Sequence, residues 1–151
     1  MDLNAHKTLL ALLLSLNQLS LDLTGDEMDA LEELGDLLKD DLTPWSEIAT
    51  EINQILDDNS TWKKLYDEAT SKLAPLSWEQ IQQLWPSEDR LLEELGITES
   101  SLGYFGGKPP VKSQEIPTLT RVVATSDRPD KKAKKLKFLQ DYWEMPQTPI
   151  F

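Results

Sequence analysis

The sequence predicts an all-α fold: a compact acidic bundle of five to six short helices over residues 1–105, followed by an irregular basic C-terminal extension. Three observations predict it. Apolar residues recur at three- and four-residue spacing through the first hundred positions, and capping signals or prolines separate each run from the next. The charge also divides along the chain. From Met1 to Ser101 there are 22 acids against 6 bases, or −16, and from Leu102 to Phe151 there are 5 acids against 9 bases, or +4, which together give the net −12.

The first helix carries Leu9, Leu10, Leu13 and Leu16 on one stripe, and Leu12, Leu14 and Leu19 widen that stripe until the helix reads as central and mostly buried. Thr24-Gly25-Asp26-Glu27 has the spacing of a capping box, in which the threonine hydroxyl and the glutamate carboxylate each accept an amide N–H that helix geometry leaves unpaired. The helix it opens turns Met28, Leu31, Leu34, Leu37 and Leu38 inward, and its acidic first turn suits the positive end of the helix dipole. Thr43-Pro44 sets a cap residue before a proline at the first helical position, with Trp45, Ile48, Ile52 and Ile55 following on one face.

Asn59 or Ser60 starts the next helix, which carries Trp62, Leu65, Tyr66, Ala69 and Leu73 and is stopped by Pro75. Ser77 with Gln80 repeats the capping box ahead of Trp78, Ile81, Leu84 and Trp85. Pro86-Ser87 restarts the chain for Leu91, Leu92 and Leu95, with Gly96 as a C-terminal cap. Links this short favour neighbouring helices packed into a bundle.

After Phe105 the texture changes. Gly106-Gly107-Lys108-Pro109-Pro110 breaks any helix and opens a linker over 106–129, within which residues 118–125 have β-type composition and read as a strand. Pro129 then sits at the start of a basic amphipathic helix from Asp130 to Glu144, and the extended tail runs to Phe151. The helix carries Lys131, Lys132, Lys134, Lys135 and Lys137 beside Leu136, Leu139, Tyr142 and Trp143.

The residue inventory offers no catalytic constellation. With no cysteine, the chain can form no disulfide, zinc–thiolate site or thiol nucleophile. His6 is the sole histidine and has no nucleophile pattern beside it. Asp57, Asn59, Thr61 and Glu68 fall at calcium-loop spacing, but Trp62 occupies the position where that loop requires glycine. No Gly-rich phosphate loop or metalloprotease motif occurs, so neither a cofactor, a metal nor a small-molecule substrate is indicated and the chain reads as a non-enzyme. Asp2 spoils a basic signal-peptide start, and Leu9 to Leu14 is too short an apolar run to span a bilayer, so the expected location is cytoplasmic.

What remains is an interaction or adaptor protein whose basic tail docks on another protein or on its own acidic body. The candidate contact residues are Val122, Val123, Lys131, Lys132, Lys134, Lys135, Leu136, Leu139, Trp143, Ile150 and Phe151, because a thin segment cannot bury its own apolar groups. A DNA-binding regulator is the alternative, with a helix-turn-helix at 88–105 pivoting on Gly96. Nucleic acid ranks behind protein as partner, since Arg90 is the only cation in that segment against Glu88, Asp89, Glu93, Glu94 and Glu99.

Overall fold

A computed structural model describes residues 3–20, 22–39, 43–95, 112–126 and 128–144, with the backbone alone for 88, 89, 92, 95 and 112–115. Among the described residues the fold is all-α. In chain order the helices are α1 (Leu3–Gln18), α2 (Gly25–Lys39), α3 (Trp45–Asp57), α4 (Ser60–Leu73), α5 (Trp78–Leu84), α6 (Glu88–Leu95), α7 (Lys112–Ala124), α8 (Pro129–Lys134) and α9 (Leu139–Glu144).

Helix α1 is the axis. Every residue from Leu9 to Asn17 is buried, which is more than two full turns, so the helix is covered on all sides. The cover comes from α4, α7, α8 and α9, while α2 lies between α3 and α7. Two polar groups sit within this leucine-rich stretch, and each is used. The Ser15 hydroxyl donates to the Leu12 carbonyl at 2.6 Å and accepts the indole Nε1–H of the buried Trp62 at 2.8 Å, tying α1 to α4. Asn17 reaches in another direction, toward the C-terminal helices.

The capping boxes form as their spacing predicts. The Thr24 hydroxyl accepts the Glu27 amide at 3.1 Å and the Glu27 carboxylate accepts the Thr24 amide at 2.9 Å. Ser77 and Gln80 make the same reciprocal pair. The Asn59 side-chain carbonyl caps α4 by accepting the Trp62 amide at 3.0 Å, and its Nδ2 donates to Glu27 at 2.8 Å, joining the first turns of α2 and α4. At α3 the expectation shifts by one residue. Pro44 holds the cap position and no side chain caps the helix, so the Pro44 carbonyl accepts the Glu47 amide at 3.1 Å while Thr43 takes no part.

Three expectations for the C-terminal third are corrected. Residues 118–124 are not a strand but the second half of α7, so the expected linker over 106–129 is helical from Lys112 to Ala124. Ile116, Leu119, Thr120, Val123 and Ala124 are buried at the i, i+3, i+4, i+7, i+8 spacing of one helix face, and α1 and α2 supply the surface that face needs. β-type composition gives way because it measures fit to a half-buried sheet, and no partner strand is present among the described residues. The Thr120 and Thr125 hydroxyls donate to the carbonyls four residues back, at 2.7 Å and 2.8 Å, so neither is left unpaired.

The second correction concerns the helix expected from Asp130 to Glu144, which is broken into α8 and α9 by a turn at Lys135–Phe138. Leu136 and Phe138 are both fully buried, yet two residues apart on a continuous helix they would point about 200° away from each other. The break lets both face the core. Glu94 of α6 steadies the turn by accepting the Phe138 amide at 3.1 Å.

The third concerns the arm set apart from the body: of the two dockings expected for it, on another protein or on its own acidic body, the described residues lie on the body. Leu136, Phe138, Leu139 and Tyr142 belong to the same buried cluster as the leucines of α1, so the described C-terminal residues complete the core of the bundle. A bundle of five to six helices is not confirmed as such: α1 to α6 lie within residues 3–95, and α7, α8 and α9 are layers of that same bundle.

Candidate partner interface

The segment expected to reach out for a partner is held by its apolar side and presents its charged side. Pro129, which has no amide N–H to satisfy, starts α8 at its first turn. Pro129, Ala133 and Leu136 then fall at i, i+4 and i+7 and are buried, whereas Lys131, Lys134 and Lys135 fall at i, i+3 and i+4 on the opposite side and are exposed. Lys137 is exposed in the turn that follows, and Lys132 is half-buried between the two faces. The result is a lysine ridge on a short, anchored helix. None of Lys131, Lys134, Lys135 or Lys137 forms an ion pair with a described residue.

Asn17 and Asp130 anchor the ridge from below. Asn17 Nδ2 donates to the Ala133 carbonyl at 3.0 Å, and its Oδ1 accepts the side-chain amides of Gln18 and Gln140, both at 2.9 Å. Asp130 is a buried carboxylate. Burial by itself would raise its pKa, but the Arg128 guanidinium with the amides of Lys131 and Leu23 outweighs burial and holds it below the usual carboxylate range. Arg128 Nη2 lies 3.3 Å from Asp130 and 3.5 Å from the exposed Asp22, so the arginine ties the start of α8 to the connection between α1 and α2.

Helix α9 is fastened by its aromatic residues. The Tyr142 hydroxyl donates to the Ile81 carbonyl at 2.8 Å, and burial with the neighbouring Asp141 raises its pKa, keeping the proton in place. Trp143 Nε1 donates to the Leu14 carbonyl at 3.0 Å, and Lys72 Nζ stands 5.9 Å from the centre of its ring. Phe138 meets Trp85 edge-on with ring centroids 5.1 Å apart.

The opposite charge collects on α2 and α3. Asp29, Glu32, Glu33 and Asp36 are exposed on α2 at i, i+3, i+4 and i+7, facing away from the buried Leu31 and Leu34. Across the α2–α3 seam, partial burial and then the charge of Glu33 raise the pKa of Glu51. Like charges therefore meet on this face.

The chain matches no family model, no curated protein and no solved structure.

The eleven candidate contact residues separate by chemistry. Lys131, Lys134 and Lys135 share the exposed ridge, with Lys132 at its edge. Val123, Leu136 and Leu139 are buried in the core, and Val122 and Trp143 are half-buried against it. Val123, Leu136 and Leu139 serve the fold because α1, buried on all sides from Leu9 to Asn17, needs the surface they offer. Ile150 and Phe151 lie outside the described residues, and of the helix-turn-helix segment expected at 88–105 only α6 is described, the part from Gly96 onward lying outside as well. His6 is buried, with its ring 5.2 Å from that of Trp78.

Sequence reasoning missed Asn17, Ser15 and Glu94. A signal for the first two was present, since a polar side chain amid Leu9 to Leu19 must find a buried partner. Among the described residues, no three His, Asp or Glu side chains gather in a metal-binding group, and no helix is long and apolar enough to cross a membrane.

Proposed function

We propose that this chain is a non-enzymatic interaction protein that meets an acidic protein surface through the lysine ridge of α8. One observation carries the reading: Lys131, Lys134, Lys135 and Lys137 stand outside the core with no ion pair to a described residue, on a helix that Asn17 and Asp130 hold in place. Charged groups fixed on an anchored element lose less freedom on binding than those of a loose tail. The ridge also suits its surroundings, because the acidic remainder of the chain repels wrong anionic partners and leaves only a precisely opposed one.

The absence of native cysteine supplies the test. Lys137→Cys gives a single attachment point for a photo-crosslinker beside the ridge. In extracts of the cells that make the protein, illumination yields a protein-sized adduct, and adding Lys131→Glu, Lys134→Glu and Lys135→Glu abolishes it. An adduct that survives charge reversal, or no adduct at all, counts against the reading.

A second reading, a DNA-binding regulator, is favoured by the same four lysines, which would hold the phosphate backbone. It predicts a nuclease-sensitive adduct and binding to duplex DNA that weakens steeply with salt. A duplex would carry a long, uniform run of phosphates past the acidic helices, whereas a protein can confine its acidic patch to the ridge, and the protein reading stands first for that reason.

A further inference from the structure

The ridge and the acidic face of α2 carry opposite charges at the same helical repeat. Lys131, Lys134 and Lys135 follow i, i+3, i+4, and Asp29, Glu32, Glu33 and Asp36 follow i, i+3, i+4, i+7. Side chains at these spacings stand about 5–6 Å apart along a helix face, so two such faces laid together bring each lysine opposite a carboxylate. Within one copy this meeting is not made. Helix α8 packs on α1 and α7, whereas Asp29, Glu32, Glu33 and Asp36 are exposed on α2, opposite its buried Leu31 and Leu34. No ion pair joins the two surfaces among the described residues.

We propose that the lysine ridge of one copy docks on the exposed face of α2 in a second copy, so that the protein associates head to tail. This rests on the reading of the ridge as a protein-binding surface and names its occupant. The ridge needs an acidic helical surface of matching repeat, and the chain itself carries one. The crowding of Glu33 against Glu51 adds to the fit, because a lysine placed over the α2–α3 seam relieves a repulsion that the isolated copy must bear.

Two different patches meet in such a contact, so it leaves one ridge and one acidic face open at the ends and grows into chains or closes as a ring. Net charge works against it: each copy carries −12. Charges far from the contact are screened beyond about 8 Å at physiological salt, while pairs in contact are screened less, so association is expected to be strongest at moderate ionic strength.

Sedimentation of the full chain tests this. In about 0.15 M salt the average mass rises with concentration above the 17.2 kDa monomer, and in about 1 M salt, where the screening length falls to about 3 Å, it returns to the monomer. The ridge variant (Lys131→Glu, Lys134→Glu, Lys135→Glu) stays monomeric, and so does the face variant (Glu32→Lys, Glu33→Lys, Asp36→Lys). Each has lost one half of the contact. Mixed together, the two variants recover association, because the intact ridge of the face variant meets the intact face of the ridge variant and the reversed ridge meets the reversed face.

All six positions are exposed, and Gln in place of Glu or Lys gives neutral versions should a reversal disturb folding. A monomer at every concentration overturns the proposal, as does association that the reversals leave intact or a mixture that does not recover. The crosslinker at position 137 separates this from failure of the underlying reading. An adduct with the mass of two chains supports both; an adduct with a different protein, lost on ridge reversal, overturns self-association and leaves the ridge as a protein-binding surface.

Discussion

Asn17 donates to the Ala133 carbonyl at 3.0 Å, across 116 residues of sequence. The bond joins the end of the most buried helix to the one that carries the lysine ridge, and Gln18 and Gln140 complete the network by donating to the same side chain. A buried amide with such partners is costly to remove, because each orphaned group keeps its desolvation penalty without its bond.

Asn17→Leu is therefore expected to destabilise the fold by about 2 kcal/mol, although leucine is the more apolar residue. Urea denaturation measures the loss. Amide exchange locates it: protection falls first in residues 129–144, where the network is anchored. A uniform loss of protection across all helices would contradict the assigned role.

Trp62 contributes both area and a hydrogen bond, and two substitutions separate them. Trp62→Phe removes the Nε1–H that Ser15 accepts together with a small part of the ring and costs about 1–3 kcal/mol, whereas Trp62→Ala opens a much larger cavity and costs about 3–5 kcal/mol. Ser15→Ala breaks the same bond without loss of ring volume and leaves the buried indole N–H without an acceptor, at a cost of about 1–3 kcal/mol. Thermal or urea unfolding of the three variants checks the order.

Gly35 lies where α2 meets the C-terminal end of α7. A methyl group there would collide with Cγ2 of Thr125, whose hydroxyl is held by the Arg121 carbonyl at 2.8 Å. Overpacking of this kind costs about 1–3 kcal/mol, against about 1 kcal/mol gained by replacing a helical glycine with alanine. Gly35→Ala is thus expected to be neutral or destabilising alone. Combined with Thr125→Ser, which deletes the colliding methyl and keeps the hydroxyl, it becomes stabilising. A double-mutant cycle in urea reads the coupling.

Asp130 and Glu51 give stability opposite dependences on pH. Asp130 has a depressed folded pKa, so its stabilisation is complete above the unfolded carboxylate value and is lost as pH falls through the folded one. Glu51 has a raised folded pKa, so its ionisation penalises the fold at neutral pH and protonation in mild acid removes the penalty. Glu51→Gln should stabilise by less than about 1 kcal/mol at pH 7, with the advantage fading below the carboxylate range. Asp130→Asn should destabilise at pH 7 and flatten the acid limb of the profile. Urea midpoints between pH 3 and pH 7 measure both.

Much of the local structure was legible. Thr24 with Glu27, Ser77 with Gln80, and Asn59 occupy short backbone geometries that depend on neighbours three residues away, so their sequence spacing was sufficient. The breadth of the α1 stripe was also informative, because a helix apolar on every side needs neighbours on every side. Taken further, that reasoning points to more covering helices than the acidic body supplies, and Ile116, Leu119 and Leu139 were available to form them.

The lysines and the apolar stripe beside them were both legible as an amphipathic helix, but which surface covers the stripe was not. Val123, Leu136 and Leu139 become core and Lys131, Lys134 and Lys135 become surface only once α1 lies beneath them. A charge count along the chain cannot see that difference, since it treats the whole segment as one arm.

The sequence alone determined the caps, the helical stripes and the two signs of charge, because each is set by residues within a turn or two of one another. Only the tertiary structure decided that residues 118–124 are helical, that the chain breaks between α8 and α9, and that the lysine-bearing segment closes the bundle. The physical reason is common to all three. Threonine and valine adopt either backbone, and Leu136 and Phe138 can face the same way only through a turn, so the outcome depends on which distant surface needs to be covered.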